Sequence, residues 1–103
     1  MRTKISGGLQ AKLLSHGLTP FQAKVLLIVS TVPMGKTVTY KQLARMAGRP
    51  KAYRAVGTAL NRNPFPVRIP CHRVVRSDGD IGGYFYGKRK KMELLVREGA
   101  IKR

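Results

Sequence analysis

Apolar positions recur along this chain at helical spacing rather than in strict alternation. From Thr19-Pro20 onward, Phe21, Val25, Ile28, Val29 and Val32 fall on one face, with Thr19 suited to the N-cap and Pro20 to the first helical position. This segment is the expected central core helix, ended by Pro33-Met34-Gly35. Leu43, Ala44, Met46 and Ala47 mark a second helix over 40–47, opened by the capping-box spacing of Thr39 and Gln42 and stopped at Gly48. Ala52, Ala55, Val56, Ala59 and Leu60 repeat at i, i+3, i+4, i+7 and i+8 and define a third helix. Met92, Leu95 and Val96 turn a last helix inward between Gly87-Lys88 and Gly99.

The segments between these helices carry the turn signals. Two short helices joined through Gly48-Arg49-Pro50 read as a helix-turn-helix. The outward residues of its second helix, Arg54, Gly57, Thr58 and Arg62, are small side chains beside arginines, which lets that helix come close to a duplex. Thr37-Val38-Thr39 is short and extended. Asn63-Pro64-Phe65-Pro66 cannot continue a helix, so the chain extends through 67–70. Residues 73–76 and 80–84 flank Ser77-Asp78-Gly79 and predict a β-hairpin, while Gly82-Gly83 permits a close backbone approach. Leu9, Leu13 and Leu14 allow one short helix within a basic N-terminal extension, residues 1–18, ahead of a folded unit over 19–103. The expected fold is mainly α: a winged-helix-like helix-turn-helix domain with a small β-hairpin, in a single compact domain.

Composition narrows the function. At 103 residues with 43% hydrophobic content the chain supports one modest core, and no apolar run approaches the roughly 20 residues of a membrane helix. A soluble protein without membrane attachment is expected. Twenty-one Lys and Arg against 4 Asp and Glu give a formal charge of +17, far beyond what solubility asks for, which ranks nucleic acid ahead of anionic lipid as the partner. The lone cysteine cannot form an internal disulfide, and no leader-like start is visible, so a reducing compartment is expected, cytoplasmic and nucleoid-associated or nuclear. Two histidines, one cysteine and scattered carboxylates assemble no zinc set of the usual spacing. Neither metal nor cofactor is expected.

That cysteine stands in Ile69-Pro70-Cys71-His72-Arg73-Val74-Val75. Thiolate is the nucleophile, and a free thiol is mostly protonated at neutral pH, so a base must take its proton. His72 is the natural candidate. Neighbours in an extended segment point to opposite sides, however, so a bridging water or a sharp bend is required. A histidine acting as base needs an orienting acceptor. Asp78 and Asp80 belong to the expected turn, whereas Glu98 sits in the last turn of a helix, where the macrodipole disfavours a negative charge unless a specific partner holds it. Glu98 is therefore assigned to His72. The plainer alternatives are a cysteine acting as a small buried hydrophobe, an Asn63 that only starts a turn, a Tyr40 that is a core aromatic, and a Glu98 paired on the surface. His16 has no motif around it.

Taken in order, these motifs resemble the O6-alkylguanine-DNA alkyltransferases, or methylated-DNA-protein-cysteine methyltransferases. The similarity runs from Phe21 to Gly99: Thr39-Tyr40-Lys41-Gln42-Leu43-Ala44, then Tyr53-Arg54-Ala55-Val56-Gly57, Asn63-Pro64, the Pro70-Cys71-His72-Arg73 segment, Gly82-Gly83-Tyr84, and Leu94-Leu95 with Glu98-Gly99. The resemblance implies single-turnover repair of double-stranded DNA containing O6-alkylguanine by a monomer. The flipped base enters a pocket, and Cys71 takes the alkyl group and keeps it. It further implies that a water relays the proton between Cys71 and His72, that Glu98 polarises His72, that Asn63 braces the cysteine loop, and that Tyr40 donates to the departing guanine. Arg54 would fill the gap left by the extruded nucleotide, with Tyr40, Gln42, Ala55, Gly57, Thr58 and Arg73 also on DNA. Val74, Tyr84, Phe85, Tyr86 and Lys91 would form the substrate pocket. The family lays its recognition helix in the minor groove, whose degenerate code suits damage repair.

Departures are visible too. Most members carry a further N-terminal domain, and here about twenty residues precede the matching region, a shortened scaffold with unchanged chemistry. Phe85 and Tyr86 are bulky and predict poor acceptance of large adducts, and Tyr53 is large for a helix that hugs a duplex. Two rival functions remain from other classes: an alkyltransferase-like binder that flips damaged bases without chemistry, and a basic helix-turn-helix regulator.

Overall fold

A computed structural model describes residues 7–65, 68–78, 80–84 and 86–101. Five helices, α1 (Gly7–Ser15), α2 (Pro20–Val29), α3 (Tyr40–Met46), α4 (Tyr53–Asn61) and α5 (Lys88–Arg97), are joined by two short strands, β1 (Val38–Thr39) and β2 (Val74–Val75), and one turn of 3-10 helix over Cys71–Arg73. Residues 1–6 of the expected basic extension lie outside the described residues.

α2 forms the centre because it is apolar nearly all round. It buries Ala23, Val25, Leu26, Leu27 and Val29, since α1, α3, α4 and the 3-10 turn all pack against it. The one-sided reading of its sequence was too narrow: Phe21 and Ile28 are only partly buried, while Leu26 and Leu27 join the core. Leu13 and Leu18 are buried against it, so the described part of the opening segment contributes to the same core. Each such Leu or Val, fully buried, contributes about 1.5–3 kcal/mol before chain entropy is counted.

The helix ends follow the capping residues. Thr19 accepts from the Gln22 amide at 3.1 Å while Gln22 accepts from the Thr19 amide at 3.0 Å. Thr39 and Gln42 repeat the arrangement at 3.0 and 2.9 Å, starting α3 at Tyr40. The turn between α3 and α4 is closed by Arg49 N donating to Ala44 O and Gly48 N to Arg45 O, both at 3.0 Å, a Schellman closure. α3 and α4 thus form the expected helix-turn-helix, seated on α2.

The strand pairing differs from the sequence reading. β1 and β2 pair in parallel, Val38 with Val74 and Thr39 with Val75, so the small sheet joins distant segments instead of forming a hairpin. Gly79 of the expected turn lies outside the described residues; on either side of it Arg76 N donates to Asp80 O at 3.0 Å, and the described residues of 80–84 form no strand. Beyond it the amides go elsewhere: Asp78 Oδ1 accepts from Asp80 N at 3.1 Å, Asp80 Oδ1 from Gly82 N at 2.9 Å. Side chains of Asp compete in this way with ladder bonds. The carbonyl of Val74 is taken by Lys91.

α5 holds a second departure. Leu95 is fully buried as its spacing predicts, but so is Lys91, one turn earlier on the same face. Met92 and Val96 are only half-buried.

Candidate active site

Cys71 opens the 3-10 turn. Arg73 N donates to Pro70 O at 2.9 Å and Cys71 N to Ile69 O at 2.7 Å, which supplies the sharp bend that adjacent Cys and His require. Asn63, 8% exposed, spans the approach to this turn: its Nδ2 donates to Ile69 O at 3.0 Å and its Oδ1 accepts from Phe65 N at 2.9 Å. The chain after α4 is thereby tied back to the end of that helix, and Ile69 N donates to Phe65 O at 2.9 Å, a turn where the sequence predicted an extended run; residues 66 and 67 lie outside the described residues.

His72 is 1% exposed and its Nε2 lies 2.9 Å from Glu98 Oε2. Arg73 grips the same carboxylate, Nε to Oε1 at 2.9 Å and Nη2 to Oε2 at 2.8 Å. The Arg73 guanidinium, with His72 adding to it, holds the Glu98 carboxyl below the usual range against the opposing effect of burial. A carboxylate only accepts, so the facing Nε2 carries the hydrogen, and in a neutral imidazole Nδ1 is then the acceptor. Nδ1 is buried without a hydrogen-bond partner. An acceptor left open in this way is what a proton relay from the thiol needs.

Burial pushes the Cys71 thiol up, while the Asn63 side chain and the Lys91 ammonium pull it partly back. The resting group is therefore a thiol, ionised only with help. It lines a cavity of about 280 Å³ whose walls include Tyr40, Tyr53, Gly57, Gly83 and Tyr84. Burial, with Cys71 nearby, pushes the Tyr84 hydroxyl up to about 12, and burial likewise raises Tyr40, so both remain hydrogen-bond donors. A larger cavity of about 340 Å³, between α1 and the segment around Phe65 and Ile69, has neither cysteine nor histidine on its wall.

The family described as "6-O-methylguanine DNA methyltransferase, DNA binding domain" matches residues 20–100. The chain belongs to this methyltransferase family. The methylated-DNA--protein-cysteine methyltransferase of Methanothermobacter thermautotrophicus is 51% identical over 83 residues, 81% of this chain and 46% of that protein, so the chain spans less than half of that relative. Among solved structures, Mycobacterium tuberculosis OGT in complex with DNA superposes with a TM-score of 0.76 at 40% identity, covering 81% of this chain and 52% of that one. S. pombe Atl1 in complex with damaged DNA containing O6-carboxymethylguanine gives 0.69 at 34% identity, over 77% and 75%.

The methyltransferase motifs do not all land where the sequence placed them. Arg73, expected on DNA, points inward: besides Glu98 it donates through Nη1 to Val32 O at 2.8 Å, and its side chain is 13% exposed. It is a positioning residue for Glu98. Val74 was expected in the substrate pocket, yet its side chain is buried, its N–H donates to Cys71 O and its carbonyl accepts from Lys91 Nζ at 2.5 Å, which leaves only a second carbonyl lone pair. Lys91, expected on the pocket wall, lies beneath it, with Gly83 O as its other acceptor at 3.0 Å. Tyr86 is exposed and edge-on to Tyr84 at 5.7 Å. Phe85 lies outside the described residues. Gln42 is exposed on α3, with its amide oxygen held in the cap.

Arg54, Ala55 and Thr58 are exposed on α4 and Gly57 is half-exposed, opposite the buried Val56, Ala59 and Leu60. Tyr53, Leu60 and Asn61 line the cavity and were not singled out as site residues. With Gly57 they sit at i, i+4, i+7 and i+8, a helical face that the sequence displays. Gly82 explains the expected close approach. Its φ is +81°, and a Cβ there would lie 3.1 Å from Tyr40 Oη and 3.3 Å from its ring. Gly82→Ala is therefore expected to destabilise the fold by about 1–3 kcal/mol and to displace the Tyr40 hydroxyl, measured by urea unfolding.

Burial pushes Lys91 down to about 8. Between that value and the ordinary lysine value of about 10.4 the unfolded chain binds the proton and the folded chain does not, so stability should rise with pH across this window. Cys71, raised on folding, acts in the opposite sense. The difference in unfolding free energy between the parent and Lys91→Met, followed by denaturation from pH 7 to 10.5, isolates the lysine contribution.

Proposed function

We propose that the protein repairs O6-alkylguanine in double-stranded DNA by transferring the alkyl group irreversibly to Cys71. The supporting observation is the placement of Cys71 on the cavity wall beside a histidine whose Nε2 is anchored on Glu98 and whose Nδ1 is open. α4 enters the minor groove, Arg54 occupies the space of the extruded nucleotide, and the alkylated base lies in the cavity. His72 Nδ1 accepts the thiol proton through a water. The sulfur forms a bond to the alkyl carbon as the bond from that carbon to O6 breaks, and the electron pair remains on the purine. Tyr40 donates to the departing base, which ends as ordinary guanine with one proton gained and one alkyl group lost.

The alkylated thioether has no leaving route, so each chain acts once. The free thiol suits a reducing compartment that contains DNA, and a monomer suffices because every participating group comes from one chain. Incubation with an oligonucleotide containing O6-methylguanine should add one methyl per protein, located at Cys71 by intact-mass and peptide measurements. Binding with unchanged mass would instead favour a damage binder without chemistry.

A further inference from the structure

Tyr40 and Tyr53 stand between two cavities. One lies over Cys71; the other, of about 310 Å³, is completed by Lys41, Arg76, Ser77 and Asp78. The second has no occupant in the function proposed above, and its chemistry differs from the first: beyond the shared tyrosines it has two cations, a carboxylate and a hydroxyl, with no aliphatic side chain on its described wall. Arg76 follows β2 directly, so its backbone is fixed relative to the cysteine turn through the pairing of Val75 with Thr39. Its Cγ and the Tyr40 hydroxyl both lie within 3.4 Å of the Cβ position at Gly82, which sets the arginine alongside the tyrosine that separates the cavities. The Arg76 charge also lowers the Tyr40 hydroxyl against the larger effect of burial.

The guanidinium is held by Asp78, with side chains 54% and 55% exposed. An ion pair so exposed is held weakly, and phosphate oxygens match the arginine fork better than a single carboxylate oxygen does. We propose that this second cavity is a phosphodiester subsite, where Arg76 and Lys41, with Ser77, hold one of the two phosphates flanking the nucleoside extruded over Cys71. The inference rests on the function proposed above. Because Tyr40 and Tyr53 line both cavities, a phosphate flanking a nucleoside whose base fills the first comes within reach of the cations on the wall of the second. Asp78 keeps the fork oriented until the phosphate displaces it.

The test uses O6-methylguanine oligonucleotides in which each flanking phosphate is singly replaced by an uncharged methylphosphonate, with transfer to the parent and to Arg76→Gln followed by intact mass below saturation. One of the two replacements should slow the parent about tenfold, Arg76→Gln should slow the unmodified oligonucleotide by a similar factor, and the two together should be no slower than either alone. Lys41→Gln should show the same coupling with a smaller loss. Multiplying losses, or a parent indifferent to both replacements, overturns the subsite. So does an equal loss in Arg76→Gln with free O6-methylguanine base, which has no phosphate. A parent that gains no methyl from the unmodified oligonucleotide overturns the transfer reaction as well, a result distinct from the others.

Discussion

Cys71→Ala is expected to gain no methyl from O6-methylguanine DNA while retaining affinity for the duplex. The chain has one cysteine, and no other group at the site can replace it. The hydroxyls of Tyr40 and Tyr84 are pushed up by burial, which leaves essentially no phenolate at neutral pH. Lys91 is pushed down to about 8, but its nitrogen is buried and engaged with Val74 O and Gly83 O, so its lone pair does not reach the cavity. Affinity is expected to come from exposed cations such as Lys41, Arg45 and Arg54 on α3 and α4, and it should fall steeply with salt in parent and variant alike. Intact mass and a salt-titrated binding assay check both halves.

The second large effect is at His72. His72→Phe should slow transfer about 10²–10⁴-fold, the usual contribution of a positioned base, with little change in DNA binding. The ring preserves most of the volume beside Tyr84, now 6.1 Å away between centroids, and Glu98 keeps both contacts from Arg73, so no carboxylate is left unpaired. The pH profile separates lost chemistry from a disturbed fold. Without the base, the rate depends on direct ionisation of a thiol that burial pushes up, and it should keep climbing with pH well above neutrality. A variant with a flat, low profile would argue for structural damage instead.

The helices after the opening segment were legible from apolar spacing and chemical stops, although α2 ends at Val29, short of the stop expected at Pro33. Thr39 with Gln42 and Thr19 before Pro20 fixed two N-termini to the residue. The sheet was not legible, because β1 and β2 are two residues each and pair at long range, Val38 with Val74, a distance at which alternation carries no information. The Cys71-His72-Glu98 grouping followed from scarcity: with few acids available, an acid at an unfavourable helix end pointed to a partner. The same argument stopped short of Arg73, whose place in a basic chain looked like one more cation for the phosphates. Its inward turn depends on the carbonyl of Val32, in the turn that follows α2, a group no sequence pattern exposes. Lys91 was hidden for a similar reason, since its acceptors are backbone oxygens of Val74 and Gly83.

Glu98 is the C-cap of α5, and the helix ends there because Gly99, at φ +78°, turns the chain so that Ala100 N reaches back to Leu95 O at 2.9 Å. The length of α5 consequently decides whether the Glu98 carboxylate reaches His72, and under the proposed transfer it sets the rate. One residue inserted upstream of the stop would swing the carboxylate about 100° around the helix axis and shift it about 1.5 Å along it, emptying the histidine's anchor while every side chain of the constellation survived intact.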